Sequence, residues 1–145
     1  MGVGKLIDPE IEMVLEKLMK KSADTNVFIS SEVQKCLNAL AVNATPSKVL
    51  DKLSIYKESK SNSLKDALIK TLIAMKNDEK ILAKDYSKLC ENFVSFLNEG
   101  QQDLRTKAKT SLTEICKYLG DWYRALRGKI QASSFKQICE LMTKT

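Results

Sequence analysis

Three stretches decide the fold: Val33-Gln34-Lys35-Cys36-Leu37, Leu64-Lys65-Asp66-Ala67-Leu68 and Leu104-Arg105-Thr106-Lys107-Ala108. Each has an apolar residue, then a polar or basic one, then an apolar residue four positions on. That spacing places both apolar side chains on one helical face. The first two stretches start 31 residues apart and the second two 40 apart. Self-similarity at such a period marks repeated helix pairs, each leaving an apolar face for its neighbour to cover.

Working outward, the same 3.6-residue stripe runs through nearly the whole chain. Asp8 and Pro9 read as the cap and first residue of a helix carrying Ile11, Val14, Leu15 and Leu18 and ending near Lys20-Lys21. A second helix starts between Val27 and Ser31, with Ile29, Val33, Leu37, Leu40 and Ala41 inward. Thr45-Pro46 opens a third, with Val49, Leu50 and Leu53. Ser63 with Asp66 resembles a capping box for a fourth, striped by Leu64, Leu68, Leu72 and Met75. A fifth carries Leu82, Tyr86, Leu89, Phe93, Phe96 and Leu97, with Gly100 placed for a left-handed end. Leu104 to Leu119 form a sixth, stopped by Gly120. Trp122 and Leu126 belong to a short seventh, and Phe135, Ile138, Leu141 and Met142 line an eighth.

Composition agrees. The 145 residues are 43% hydrophobic and 29% charged, with 5 Gly and 2 Pro, too little punctuation for a sheet with many turns. The expected fold is all-α: a solenoid of about four HEAT-like or armadillo-like helix pairs, about eight helices in one domain spanning 1–145. An irregular helical bundle is the alternative.

The chemistry of the chain points away from catalysis. With 0 His, the commonest general base is missing, and no cysteine has an imidazole to activate it. Cys36, Cys90, Cys116 and Cys139 are widely spaced, which fits no zinc motif. Cys36, Cys116 and Cys139 read as small buried hydrophobes. The aspartates Asp8, Asp24, Asp51, Asp66, Asp85, Asp103 and Asp121 fall mostly where caps and turns are expected. No glycine loop cradles phosphate, and Trp122-Tyr123 reads as packing for the last helices. No cofactor or metal is expected. The first residues read as neither signal peptide nor spanning segment, so the expected setting is cytosolic or cytoskeletal.

Lys+Arg number 24 against 18 Asp+Glu, a net charge of +6 that favours acidic partners. If helices pair in order, the turns within pairs share one edge: Ser22–Asn26, Lys57–Asn62, Asn98–Asp103 and Gly128–Gln131. Lys20, Lys21, Lys57, Lys60, Lys65, Arg105, Lys107 and Lys129 make that edge basic.

These turns carry a family likeness. Leu18-Met19-Lys20-Lys21-Ser22-Ala23-Asp24-Thr25-Asn26-Val27-Phe28-Ile29 resembles the helix–turn–helix junction of TOG domains, closest to the crescerin and CLASP groups. Asn43-Ala44-Thr45-Pro46-Ser47-Lys48-Val49-Leu50 is similar to the opening of that family's next repeat. Lys60-Ser61-Asn62-Ser63-Leu64-Lys65 looks like its basic turn, with Ser61 intervening and Lys65 where Arg is usual. Phe96 to Arg105 resembles a later turn, with Arg105 kept. The resemblance covers about Ile11 to Leu141. It implies a HEAT paddle whose turn edge grips α/β-tubulin or the microtubule lattice. By position the candidate contacts are Asn26, Lys60, Asn62, Lys65 and Arg105, with Lys107 added from the basic edge. The chain matches the later repeats of such a paddle. The opening repeats, with their aromatic tubulin anchor, have no counterpart. A partial paddle would dock on assembled microtubules or axonemes, and the family's ciliary members make the cilium an implied location. The other readings are a HEAT-type scaffold binding another protein through a helical face, and a nucleic-acid binder with steep salt dependence. Neither nucleic acid nor membrane is the favoured partner.

Overall fold

A computed structural model describes residues 8–43 and 46–144; the side chains of Asp8, Pro9, Ile11, Lys57 and Glu58 are also outside the description. The readings at Gly2 to Leu6, at Thr45 and at the Ile11 and Lys57 side chains therefore lie outside the described residues. The described chain is all-helical: α1 (Asp8–Lys21), α2 (Val27–Asn43), α3 (Pro46–Leu53), α4 (Asn62–Asn77), α5 (Glu79–Val94), α6 (Gln102–Leu119), α7 (Trp122–Leu126) and α8 (Ala132–Thr143). A 3-10 turn over Ser54–Glu58 prolongs α3.

The order of contacts gives the architecture. Helices α1, α3 and α5 pack successively in one layer; α2, α4, α6 and α8 do so in a second. Within pairs, α1 lies on α2 and α5 on α6, while α4 also touches α5 and so stitches one pair to the next. This is an α-solenoid of helix pairs. Its core follows the stripes. Leu37, Leu68, Leu72, Met75, Leu89, Phe93, Leu104, Leu112 and Ile115 have no exposed surface. Burying a side chain of this size stabilises by about 1.5–3 kcal/mol, and a helix whose stripe is covered on both sides gains most. The second layer is tied by polar contacts as well. Gln34 Nε2 in α2 donates to Thr71 Oγ1 at 3.0 Å, and buried Thr71 donates to the Ala67 carbonyl at 2.9 Å.

Several local readings change. The cap of α4 is Ser61, whose Oγ accepts from the Leu64 N–H at 3.3 Å; Ser63 already lies inside the helix. The serine two residues earlier wins because its extended backbone aims the hydroxyl at the free N–H groups. Asp78 closes α4 and caps α5, accepting from the N–H groups of Lys80 and Ile81. Gly100 does not adopt the left-handed conformation; Gly120 and Gly128 do, at φ 72° and 79°. Helix α5 ends at Val94, and tight turns through Phe96 and Leu97 close it instead. Asp85, read among the cap and turn aspartates, is buried at a kink inside α5, with φ −114° and ψ 23°. Cys36 is exposed on α2 rather than buried. Two of its apolar-stripe neighbours, Leu37 and Leu40, face the core, and Cys36 falls about 100° away from Leu37. Cys90 and Cys116 are buried, and burial pushes the Cys116 thiol up to about 11.

The repeat register is also sharper. Across α4 and α6, Asp66 meets Lys107, 41 positions later, close to the spacing read from sequence. Across α2 and α4, Gln34 reaches the Ala67 carbonyl and Thr71 Oγ1, 33 and 37 positions later, so the first repeat is shorter than the second, as the sequence spacing implies.

Candidate functional site

The edge built from turns within pairs begins with Asn26. Its Oδ1 accepts from the N–H groups of Phe28 at 3.0 Å and Ile29 at 3.3 Å, so it caps α2. Its own N–H donates to Asp24 Oδ1 at 2.8 Å. That bond, and then Lys21 at 3.3 Å, hold the Asp24 carboxyl below its ordinary value. The turn is thereby stiffened by its own side chains.

At the second turn, Lys60 is exposed and has no partner among the described residues, and Asn62 is the exposed first residue of α4. Lys65 behaves differently. Its Nζ lies 2.7 Å from Glu99 Oε1, with the two side chains 15% and 17% exposed. Arg105 donates through Nη1 to the Glu99 carbonyl at 2.6 Å and the Gly100 carbonyl at 3.0 Å. Together they pin the turn before α6 onto α4. Lys107 sits 3.2 Å from Asp66 Oδ1 and 3.1 Å from Asp103 Oδ2. Burial alone would lower the Lys107 ammonium, but the two carboxylates outweigh it and the net shift is upward. Burial likewise pushes Asp66 up, and Lys70 with Lys107 reverses it, leaving the carboxyl below its ordinary value.

The structure therefore brings Lys60, Asn62, Lys65, Arg105 and Lys107 together around two adjacent turns. Asn26 stands on the far side of a groove between α2 and α4. That groove has a volume of about 520 Å³ and is lined by Asp24, Val27, Gln34, Ser63 and Asp66 among others. Ser63 and Asp66 also line the hollow toward α6, so the edge is continuous across three turns. The basic character read from sequence is largely spent inside it: Lys21, Lys65 and Lys107 are each matched by a carboxylate. At the fourth turn, Lys129 folds over the Tyr86 ring and donates to its hydroxyl at 2.7 Å. Among the described edge residues, Lys60 is the cation without a hydrogen-bond or ion-pair partner.

Sequence reasoning missed two residues here. Val27 and Phe28, at the start of α2, are 79% and 72% exposed. The signal was present: both fall off the stripe defined by Val33, Leu37 and Leu40. An apolar pair on the wrong face of a helix start has no core to enter. Trp122, by contrast, packs against the core, and Tyr123 meets both Trp122 and Phe135 edge-on, at 5.9 and 5.1 Å between centroids.

Among its described residues the edge offers hydrogen-bonding groups, the open cation of Lys60 and an apolar tip, which suits multipoint binding of a large surface. No family model matches the chain, and no curated protein matches it. Among the described residues no helix is long and apolar enough to cross a membrane.

Proposed function

We propose that the chain is a non-catalytic TOG-like module that binds tubulin or the microtubule lattice through the edge of its intra-pair turns. The observation that carries this reading is the groove between α2 and α4, whose lining runs from Asp24 and Val27, on either side of the capping Asn26, to Ser63 and Asp66 at the start of α4, with Val27 and Phe28 exposed at one end. A flat acidic partner would meet Lys60 electrostatically and Phe28 by apolar contact. Stiff capped turns reduce the ordering cost of binding. Arg105 contributes by holding the turn before α6 in shape, while Lys65 and Lys107 are neutralised by carboxylates within the fold and make no contact with the partner. The cytoskeletal or axonemal setting belongs to this proposal.

Co-sedimentation with taxol-stabilised microtubules tests it. Wild-type chain is expected in the pellet, and Lys60→Glu combined with Phe28→Ala is expected to remain in the supernatant. Pelleting of the variant to the wild-type extent refutes the edge. Absence of wild-type pelleting, together with no shift of free tubulin in gel filtration, refutes the function. A second reading, a HEAT-type scaffold for another protein, draws support from the internal neutralisation of Lys65 and Lys107. It predicts no tubulin affinity.

A further inference from the structure

If the turn edge spends its cations internally, the charge left over lies elsewhere. In the hollow between α2 and α4, Lys35 pairs with Glu32 and Lys70 with Asp66. Beside α3, Lys80 and Lys84 share a hollow with Asp78 and Asp85. On the α4–α6 side the hollow is lined by Asp66 and Asp103. The groove between α6 and α8 departs from this pattern. Lys109 and Lys144 line it without an ion-pair partner among the described residues, facing the single carboxylate of Glu140. Its volume is about 350 Å³, and Leu97 and Leu141, both only partly buried, supply an apolar floor.

Two open ammonium groups flanking an apolar floor match a chain that alternates carboxylates with apolar side chains. The carboxylates would meet the lysines at the rim, while one apolar side chain covers Leu97 and Leu141. We infer that the α6–α8 groove is a docking site for an acidic, leucine-bearing segment of a partner protein. The groove borders the third turn through Asn98 but contains none of Asn26, Phe28 or Lys60, so separate variants probe the two sites. Phosphate-bearing nucleic acid would satisfy the lysines but would leave the leucine floor uncovered. Glu140 sets a built-in test, because its carboxylate opposes the occupant.

A fluorescein-labelled peptide of alternating glutamate and leucine, followed by anisotropy at moderate salt, is the probe. Saturable binding is expected. Lys109→Glu with Lys144→Glu should weaken it roughly tenfold, since two rim charges are reversed. Glu140→Gln should tighten it about two- to threefold. Lys60→Glu with Phe28→Ala should leave it unchanged. Lys109, Glu140 and Phe28 lie on helix surfaces, Lys60 and Lys144 in exposed segments beside them, and circular dichroism checks that each variant folds. The proposal is overturned by absence of saturable binding, by equal binding to the double lysine variant, or by loss of affinity in Glu140→Gln. Equal affinity for a leucine-free glutamate peptide removes the apolar floor from the site and overturns it too. Tighter binding of a single-stranded DNA oligomer at the same salt reassigns the groove to nucleic acid.

Discussion

Glu99→Gln separates the structural use of the edge cations from their use in binding. In the wild type, Glu99 Oε1 lies 2.7 Å from Lys65 Nζ, each side chain about one-sixth exposed. Two unit charges near 4 Å attract by about 4 kcal/mol at an effective dielectric constant of 20. Desolvation and lost rotamer freedom offset most of that. Fully exposed pairs net about 0–1 kcal/mol, whereas breaking one side of a buried pair costs about 3–5 kcal/mol. This pair lies between the limits, so Glu99→Gln is expected to destabilise the fold by about 2 kcal/mol. The backbone carbonyl of Glu99 still accepts from Arg105, which keeps the turn in place. Urea denaturation followed by circular dichroism reads the loss as a lower midpoint with an unchanged slope. In a double-mutant cycle with Lys65→Met, the coupling should be about 1–2 kcal/mol. The same variant leaves Lys65 uncompensated, so microtubule pelleting should rise while stability falls. A coupling near zero would refute the claim that Lys65 is spent internally. A parallel fall in stability and pelleting would refute the separation of roles.

Other expectations follow from the same contacts. Leu72→Ala removes a side chain with no exposed surface from the middle of α4 and should cost about 2–5 kcal/mol in thermal or chemical denaturation. Phe28→Ala alone should leave stability within about 0.5 kcal/mol, because the ring is 72% exposed, yet should reduce pelleting. The Asp66 carboxyl is held below its ordinary value, so its contribution is present above about pH 4 and lost as pH falls through the folded value. The Lys107 ammonium is raised, so its contribution is complete below about pH 10 and lost as pH rises through the folded value. Urea midpoints across pH should therefore fall at both ends for the wild type, and Asp66→Asn should lessen the acid loss. Native protein should titrate Cys36 rapidly with a thiol reagent, while buried Cys90 and Cys116 react only on unfolding.

The helices were legible because the apolar stripe is strong. Leu37, Leu53, Leu68 and Leu72, read as inner positions, are all fully buried. The pairing of helices was legible from the repeat. Caps were partly legible. Asp121, read among the cap and turn aspartates, does cap α7; Ser61 and Asp78, which cap α4 and α5, were not singled out, and the Ser63–Asp66 spacing imitated a cap that the backbone does not use. The members of the edge could be named from sequence, because turns between ordered helix pairs must share a side. Their partners could not. That Lys65 meets Glu99 and Lys107 meets Asp66 depends on the stacking offset between pairs, and no local pattern encodes it. Counting lysines therefore overstated the charge this edge presents to a partner.

Hydrogen–deuterium exchange on the chain with and without polymerised tubulin tests the central claim most directly. Exchange should slow at the start of α2 from Val27 to Ser31 and around Lys60 to Lys65, with α1 and α5 unchanged. Unaltered exchange over both segments in the presence of microtubules, or protection confined to α6 and α8, would contradict it.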